Sequence, residues 1–239
     1  MAYRFYKNTA DAELPHPPIP LAVFLKIEEA VGVAWCLLRQ NPPDGFNLAT
    51  ASENDITHKL QEKLFDVVFR DCLVEGFNRE VFTVGTRGTE VRNFDGSRRD
   101  MKPDLLIGFV ERPRVEYPSQ DWLFIECKPV DSDHAVGAHY CDKGIIRFVR
   151  GEYAWTMSGA MMVGYAKDGY TVSAKLDGAL KARAATIPTS GLPKACVRSR
   201  AGRFADVVCI SQHDRTFQYV ETGENAPSIT VRHLWLRRN

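Results

Sequence analysis

Two nearly unbroken apolar runs, PDLLIGFV at 103–110 and DWLFIECKPV at 121–130, set the first constraint on how this chain folds. Each is strand-length, and the ERPRVEYPSQD stretch between them reads as an exposed connection. Pro103 suits a strand opening, where its missing amide donor is tolerated. In the second run Trp122, Phe124, Glu126 and Lys128 share one parity, and Leu123, Ile125 and Cys127 share the other. Trp122 is expected to pack at the sheet edge.

Helical patterns precede these strands. The PHPPIP segment at 15–20 is expected to be irregular. A helix is predicted from about Leu21 to Gln40, stopped by Asn41, Pro42, Pro43, Asp44 and Gly45. Ser52 followed by Asp55 approximates a capping box, and Ile56, Leu60 and Leu64 then recur every four residues along one face. Val67, Val68 and Leu73 are read as extending that face, with the helix covering a sheet and ending before Gly76. Extended pieces are expected at 80–84 and 89–94, joined through a Gly85–Gly88 turn. Beyond the second strand the pattern predicts a helix from about Asp133 to Arg150 and a strand in GAMMVGYA. A short helix within 171–187, a TSGLP turn and terminal strands at 205–210 and 229–236 complete it. Helices interleaved with strands, with no internal repeat, favour one α/β unit over two independent domains.

Composition narrows the class. The chain has 239 residues, enough for one sizeable core, and its 44% hydrophobic and 26% charged fractions argue against a fibre or a disordered chain. Lys+Arg 31 against Asp+Glu 30 gives +1, so global charge makes no case for a nucleic-acid binder, although a local basic patch remains compatible. The 6 cysteines form no CxxC pair and are read as reduced, mostly buried thiols of a cytoplasmic protein. The amino terminus lacks the pattern of a secretory signal, and Lys26, Glu28 and Glu29 interrupt the apolar stretch at 21–38 too early for a membrane span.

The chemistry gathers where the two strands carry charge. Spacing of i,i+2 puts Glu126 and Lys128 on one face, and Asp104 can enter from the preceding strand. Two carboxylates offer hard oxygen ligands to Mg²⁺, with Mn²⁺ as the alternative, and such an ion stabilises oxygen charge in phosphoryl transfer. A lysine beside them orients water or stabilises the phosphate. A sugar hydrolase has no clear use for that lysine. The acid cluster of Asp131, Asp133, His134, His139 and Cys141 lacks zinc spacing.

With Pro103-Asp104 on one strand, Glu126-Cys127-Lys128 at the end of the next, a capped acidic helix before them and a helix after, the chain resembles the PD-(D/E)xK nuclease superfamily. The resemblance covers roughly residues 50–170 as a catalytic core within a single nuclease-like domain spanning 1–239. It implies a restriction-endonuclease-like mixed central sheet flanked by helices, and metal-dependent hydrolysis of nucleic acid, DNA above RNA and endonucleolytic above exonucleolytic. On that reading Asp104, Glu126 and the Cys127 carbonyl hold the metal, Lys128 orients or activates water, and either Glu53, in line with the apolar stripe, or Glu62, farther along the helix, supports the site. Double-stranded DNA is the expected substrate, a role in antiviral defence fits, and a homodimer or protein partner is compatible. Arg98 and Arg99 before the first strand, and Lys143 and Arg147 after the second, are the candidate phosphate contacts. The competing reading is a catalytically inactive domain that binds nucleic acid or assembles with a partner.

Overall fold

The computed structural model describes residues 14–110, 112–201 and 206–238. The segment in which a secretory signal was sought lies largely outside those residues, as does residue 205, where a late strand was expected to begin. Proline breaks the chain until Pro20, and α1 then runs Leu21–Gln40 with its backbone closed by Asn41. Ser52 caps α2 (Glu53–Glu62) by accepting from the Asp55 amide at 3.2 Å and donating to the Asp55 carboxylate at 2.7 Å. The first bond of a capping box is therefore made, while the Asp55 carboxylate takes the Ser52 hydroxyl instead of the Ser52 backbone N–H. The helix continues through wide π-helical turns over Lys63–Phe69, burying Leu64 and Val68 behind Ile56 and Leu60. Leu73 does not extend this face and is half exposed, because the wide turns rotate the stripe and the helix has already ended.

Among the described residues seven strands form one mixed sheet: β1 (Phe82–Val84), β2 (Leu105–Phe109), β3 (Trp122–Val130), β4 (Gly159–Ala166), β5 (Thr189–Ala195), β6 (Cys209–His213) and β7 (Ile229–Arg237). Their order is β1-β2-β3-β4-β7-β6-β5. β3, β4 and β7 pair in parallel and the outer strands antiparallel. Parallel neighbours demand crossovers, and the segment between β3 and β4 supplies one: π-helical turns over Val136–Ile145 that tighten into α3 (Ile146–Val149). A fourth α-helix, α4 (Val172–Lys181), follows β4. The sheet is covered on both faces, as buried parallel strands require. On one face Trp35 of α1 stacks on Tyr165 of β4 with centroids 5.7 Å apart, and Thr57 of α2 meets the Tyr165 hydroxyl at 2.9 Å. On the other, Tyr140 of the π-helical segment packs edge-on against Trp235 of β7.

Two expectations fail in instructive ways. The 89–94 stretch is not a strand: β1 pairs with β2, and Val91 makes only an isolated bridge to Met101. Asn93 explains this, since its side chain accepts from Arg98 N–H and donates to Ser97, closing a local turn instead of a ladder. The TSGLP stretch is not a turn but the start of β5. It lies at the sheet edge, where Gly191 and Pro193 are tolerated because register shifts surround them. The first terminal strand also sits later than expected, at Cys209–His213.

All six cysteines are free thiols; Cys127, Cys141 and Cys209 are buried, whereas Cys72 is exposed. Among the described residues no helix is long and apolar enough to cross a membrane.

A buried polar chain crosses the carboxyl-terminal strands. The Thr189 hydroxyl donates to the Ile187 carbonyl, so its oxygen accepts from His213 Nδ1 at 3.2 Å. His213 Nε2 must then accept from Ser211 Oγ, which in turn accepts from His233 Nε2, both at 2.7 Å. His233 Nδ1 is left to accept from the Tyr140 hydroxyl at 3.0 Å. One set of neutral tautomers satisfies every member.

Candidate active site

The site forms where β2 begins, β3 ends and α2 starts. Asp104 immediately precedes β2, and its Oδ2 accepts from the Cys127 backbone N–H at 2.7 Å, which fixes it across the antiparallel pair. Glu126 and Lys128 project from the same face of β3. The Lys128 ammonium contacts Glu126 Oε1 at 2.8 Å, Glu53 Oε1 at 2.7 Å and the Cys127 carbonyl at 2.8 Å, with Asp104 Oδ2 at 3.7 Å. Four oxygens from three elements thus surround one nitrogen. Gly144 of the π-helical segment faces the Lys128 stem and the Met162 tip, a position where a Cβ would crowd the Met162 methyl and touch the Lys128 stem.

Burial sets the electrostatics. Glu126 is 2% exposed, and desolvation followed by the nearby Asp104 charge pushes its pKa up to about 7. Asp104 is raised for the same first reason, against the pull of Lys128. Burial alone would drive Lys128 toward neutrality, but the charges of Glu126, Asp104 and Glu53 outweigh it and hold the ammonium above the ordinary lysine value. Lys128 therefore stays a cation and a donor.

The other expected residues separate clearly. Glu53 joins the site; Glu62 does not. Glu62 pairs with Lys59 at 2.7 Å and His58 at 3.1 Å and lines a different cleft, of about 520 Å³, with Gln61 and Arg87. It lies mid-helix on the flank that its neighbours occupy, whereas Glu53 holds the first turn, directed at the strand ends. Arg147 is drawn inward from α3: its Nε lies 3.6 Å from Glu126 Oε1 and 2.9 Å from the Lys143 carbonyl, to which it donates. Lys143, Arg98 and Arg99 are exposed, with Arg98 3.8 Å from Asp100. The loop carrying Arg98 and Arg99 is tied to the turn after α3 by the Phe94 N–H to Gly151 carbonyl bond and by Arg92 lying 4.8 Å over Trp155. Trp122 is not at the sheet edge: it opens β3, which lies between β2 and β4, packs its ring over Gly108 of β2 and donates to the Ser119 carbonyl. Asp131 accepts from the Asp133 and His134 amides and meets His134 Nδ1 at 2.7 Å, which accounts for that acidic cluster as a turn.

Sequence reasoning missed Tyr153. Its hydroxyl donates to Glu126 Oε2, opposite the oxygen that faces Lys128. No spacing rule links a loop tyrosine to a strand carboxylate 27 positions earlier.

The donor set suits a hard divalent cation: three carboxylates and a carbonyl converge, and negative charge exceeds the two local cations. Among the described residues no group of three His, Cys, Asp or Glu side chains is spaced around a metal position. The acidic oxygens converge on the Lys128 ammonium. No family model, curated protein or solved structure matches the chain.

Proposed function

We propose that this protein is a divalent-metal-dependent phosphodiesterase acting on nucleic acid, with DNA as the substrate and Mg²⁺ or Mn²⁺ as the cofactor. The observation that carries the reading is the convergence of Glu53, Asp104, Glu126 and the Cys127 carbonyl on Lys128 at the adjoining ends of β2, β3 and α2. Asp104, Glu126 and the Cys127 carbonyl would hold the metal, which supplies charge stabilisation for the transferring phosphoryl group.

The chain's own residues divide the remaining work. Lys128, held protonated, orients the attacking water and donates to developing phosphate charge; it is not the base. Glu53 is the most open of the three carboxylates, at 33% exposure, and is the acceptor for the proton leaving that water. Arg147 stands beside Glu126, where a guanidinium serves a phosphate oxygen through a planar pair of donors. Arg98, Arg99 and Lys143 are exposed and contact the polyanion farther from the scissile bond.

The reading includes a single nuclease-like domain and a restriction-type endonuclease. Its test is a cleavage panel of supercoiled DNA, linear DNA and RNA with Mg²⁺, Mn²⁺ or EDTA. Scission that requires the metal and disappears in Asp104→Asn supports it. Nucleic acid bound tightly but left intact under every metal condition would instead favour a noncatalytic binding domain.

A further inference from the structure

We infer that Tyr153 is a positioning residue whose phenol fixes the Glu126 carboxylate in the orientation that metal binding requires. The inference rests on the hydrolytic reading and adds a residue which neither the strand motif nor the helix before it supplies.

Glu126 has two oxygens, and the fold treats them differently. Oε1 is shared by Lys128 and Arg147, on the side where the other acids converge. Oε2 receives only the Tyr153 hydroxyl among the described side chains. Contacts to Oε1 alone leave the carboxylate able to swing about its terminal torsion, which would turn its ligating oxygen away. The phenol removes that freedom.

Tyr153 is itself held on several sides. Its ring stacks on Phe124 of β3 with centroids 5.9 Å apart and planes 11° from parallel, while Phe148 of α3 meets it edge-on at 5.3 Å. The Arg147 guanidinium lies 5.8 Å from the ring centroid. Gly151, at φ +65°, ends α3 in the left-handed conformation that glycine adopts without steric cost, and it turns the chain back toward the sheet. Ala154 follows at φ +55°, in the left-handed region that an alanine seldom adopts. A buried hydroxyl needs a partner in any core, but a lone satisfied tyrosine has no need of the one carboxylate at the centre of a charged site.

Outer partners of ligating groups typically contribute 10-fold to 100-fold in metal affinity. The experiment is a calorimetric titration of the full chain with Mn²⁺, without nucleic acid, comparing wild type, Asp104→Asn, Tyr153→Phe and Tyr140→Phe, with thermal melts of each. Tyr140→Phe is the control: it removes another buried phenol hydrogen bond, to His233, away from the carboxylates. Both phenylalanine variants keep the ring and are expected to fold with lowered melting temperatures. The inference predicts an Mn²⁺ Kd about 10-fold to 100-fold weaker in Tyr153→Phe and close to wild type in Tyr140→Phe. Equal Mn²⁺ affinity in wild type and Tyr153→Phe, with binding still lost in Asp104→Asn, overturns the role of Tyr153 and leaves the hydrolytic reading standing. Wild-type protein that binds no Mn²⁺, or binds it just as well after Asp104→Asn, overturns both.

Discussion

Lys128 competes for the oxygens that the proposed cation would use. Its ammonium is within 3.7 Å of all four, and the surrounding carboxylates keep it charged. Replacing it with methionine keeps much of the stem while removing the charge, so two properties are expected to move in opposite directions. Mn²⁺ should bind more tightly to Lys128→Met, because three carboxylates lose a fixed counterion. Turnover should fall by roughly 10²-fold to 10³-fold, the usual cost of losing a donor to transition-state charge. Calorimetry and single-turnover cleavage on the same preparation check the pair. Weaker metal binding together with unchanged turnover would make Lys128 a structural counterion only. At this scale the sequence was informative wherever strand parity applied: Asp104, Glu126 and Lys128 meet because alternation in β3 and pairing with β2 leave them no other place. Parity says nothing about a helix, so choosing Glu53 over Glu62 needed the α2 geometry, and Tyr153 needed the turn after α3.

Elements place these residues, and their boundaries were legible in proportion to how strongly one local signal dominated. Proline before α1, the Ser52–Asp55 cap and the apolar run of β4 each marked an element correctly. The edge strand β5 was hidden because glycine and proline mean a turn in isolation, and only the neighbouring β6 makes them part of a ladder. The polar chain from Thr189 to Tyr140 was likewise invisible, since its members lie on three strands and a helical segment. It carries a pH signature. Burial pulls the His213 pKa down from 6.5 to about 4, and burial holds His233 well below its ordinary value. The unfolded chain therefore takes up protons first as the pH falls. The stability from neutral His213 is complete above about 6.5, declines toward 4 and levels off below it, a loss on the order of 3 kcal/mol. Urea unfolding across pH 7 to 4 should show a shallower decline in His213→Gln than in wild type; parallel slopes would contradict the assignment.

For the molecule as a whole, near-neutral net charge conceals an uneven distribution: buried acids sit at the strand ends, while Arg98, Arg99 and Lys143 are exposed on flanking segments. Arg98→Ala with Arg99→Ala is expected to weaken DNA binding across sequences and to lower the log–log salt slope by about one unit per lost phosphate contact. Equilibrium binding in Ca²⁺ at several salt concentrations measures this, and unchanged affinity and slope would assign these arginines to surface solvation. The α/β class was readable from the interleaved periodicities, whereas the mixed, helix-covered sheet was an expectation of the motif resemblance alone, and the structure shows that sheet. The order β4-β7-β6-β5 was not readable, because pairing between distant strands leaves no local trace. The central claim is that the Asp104, Glu126 and Lys128 corner hydrolyses phosphodiesters with a divalent ion. Its most direct test is the rate of supercoiled-DNA scission against Mn²⁺ concentration for wild type and for the double variant Asp104→Asn with Glu126→Gln. Scission by wild type that saturates with Mn²⁺ and stops on EDTA addition, reduced at least about 10³-fold in the double variant, is the predicted result. Full scission by the double variant would place the chemistry elsewhere and contradict the account.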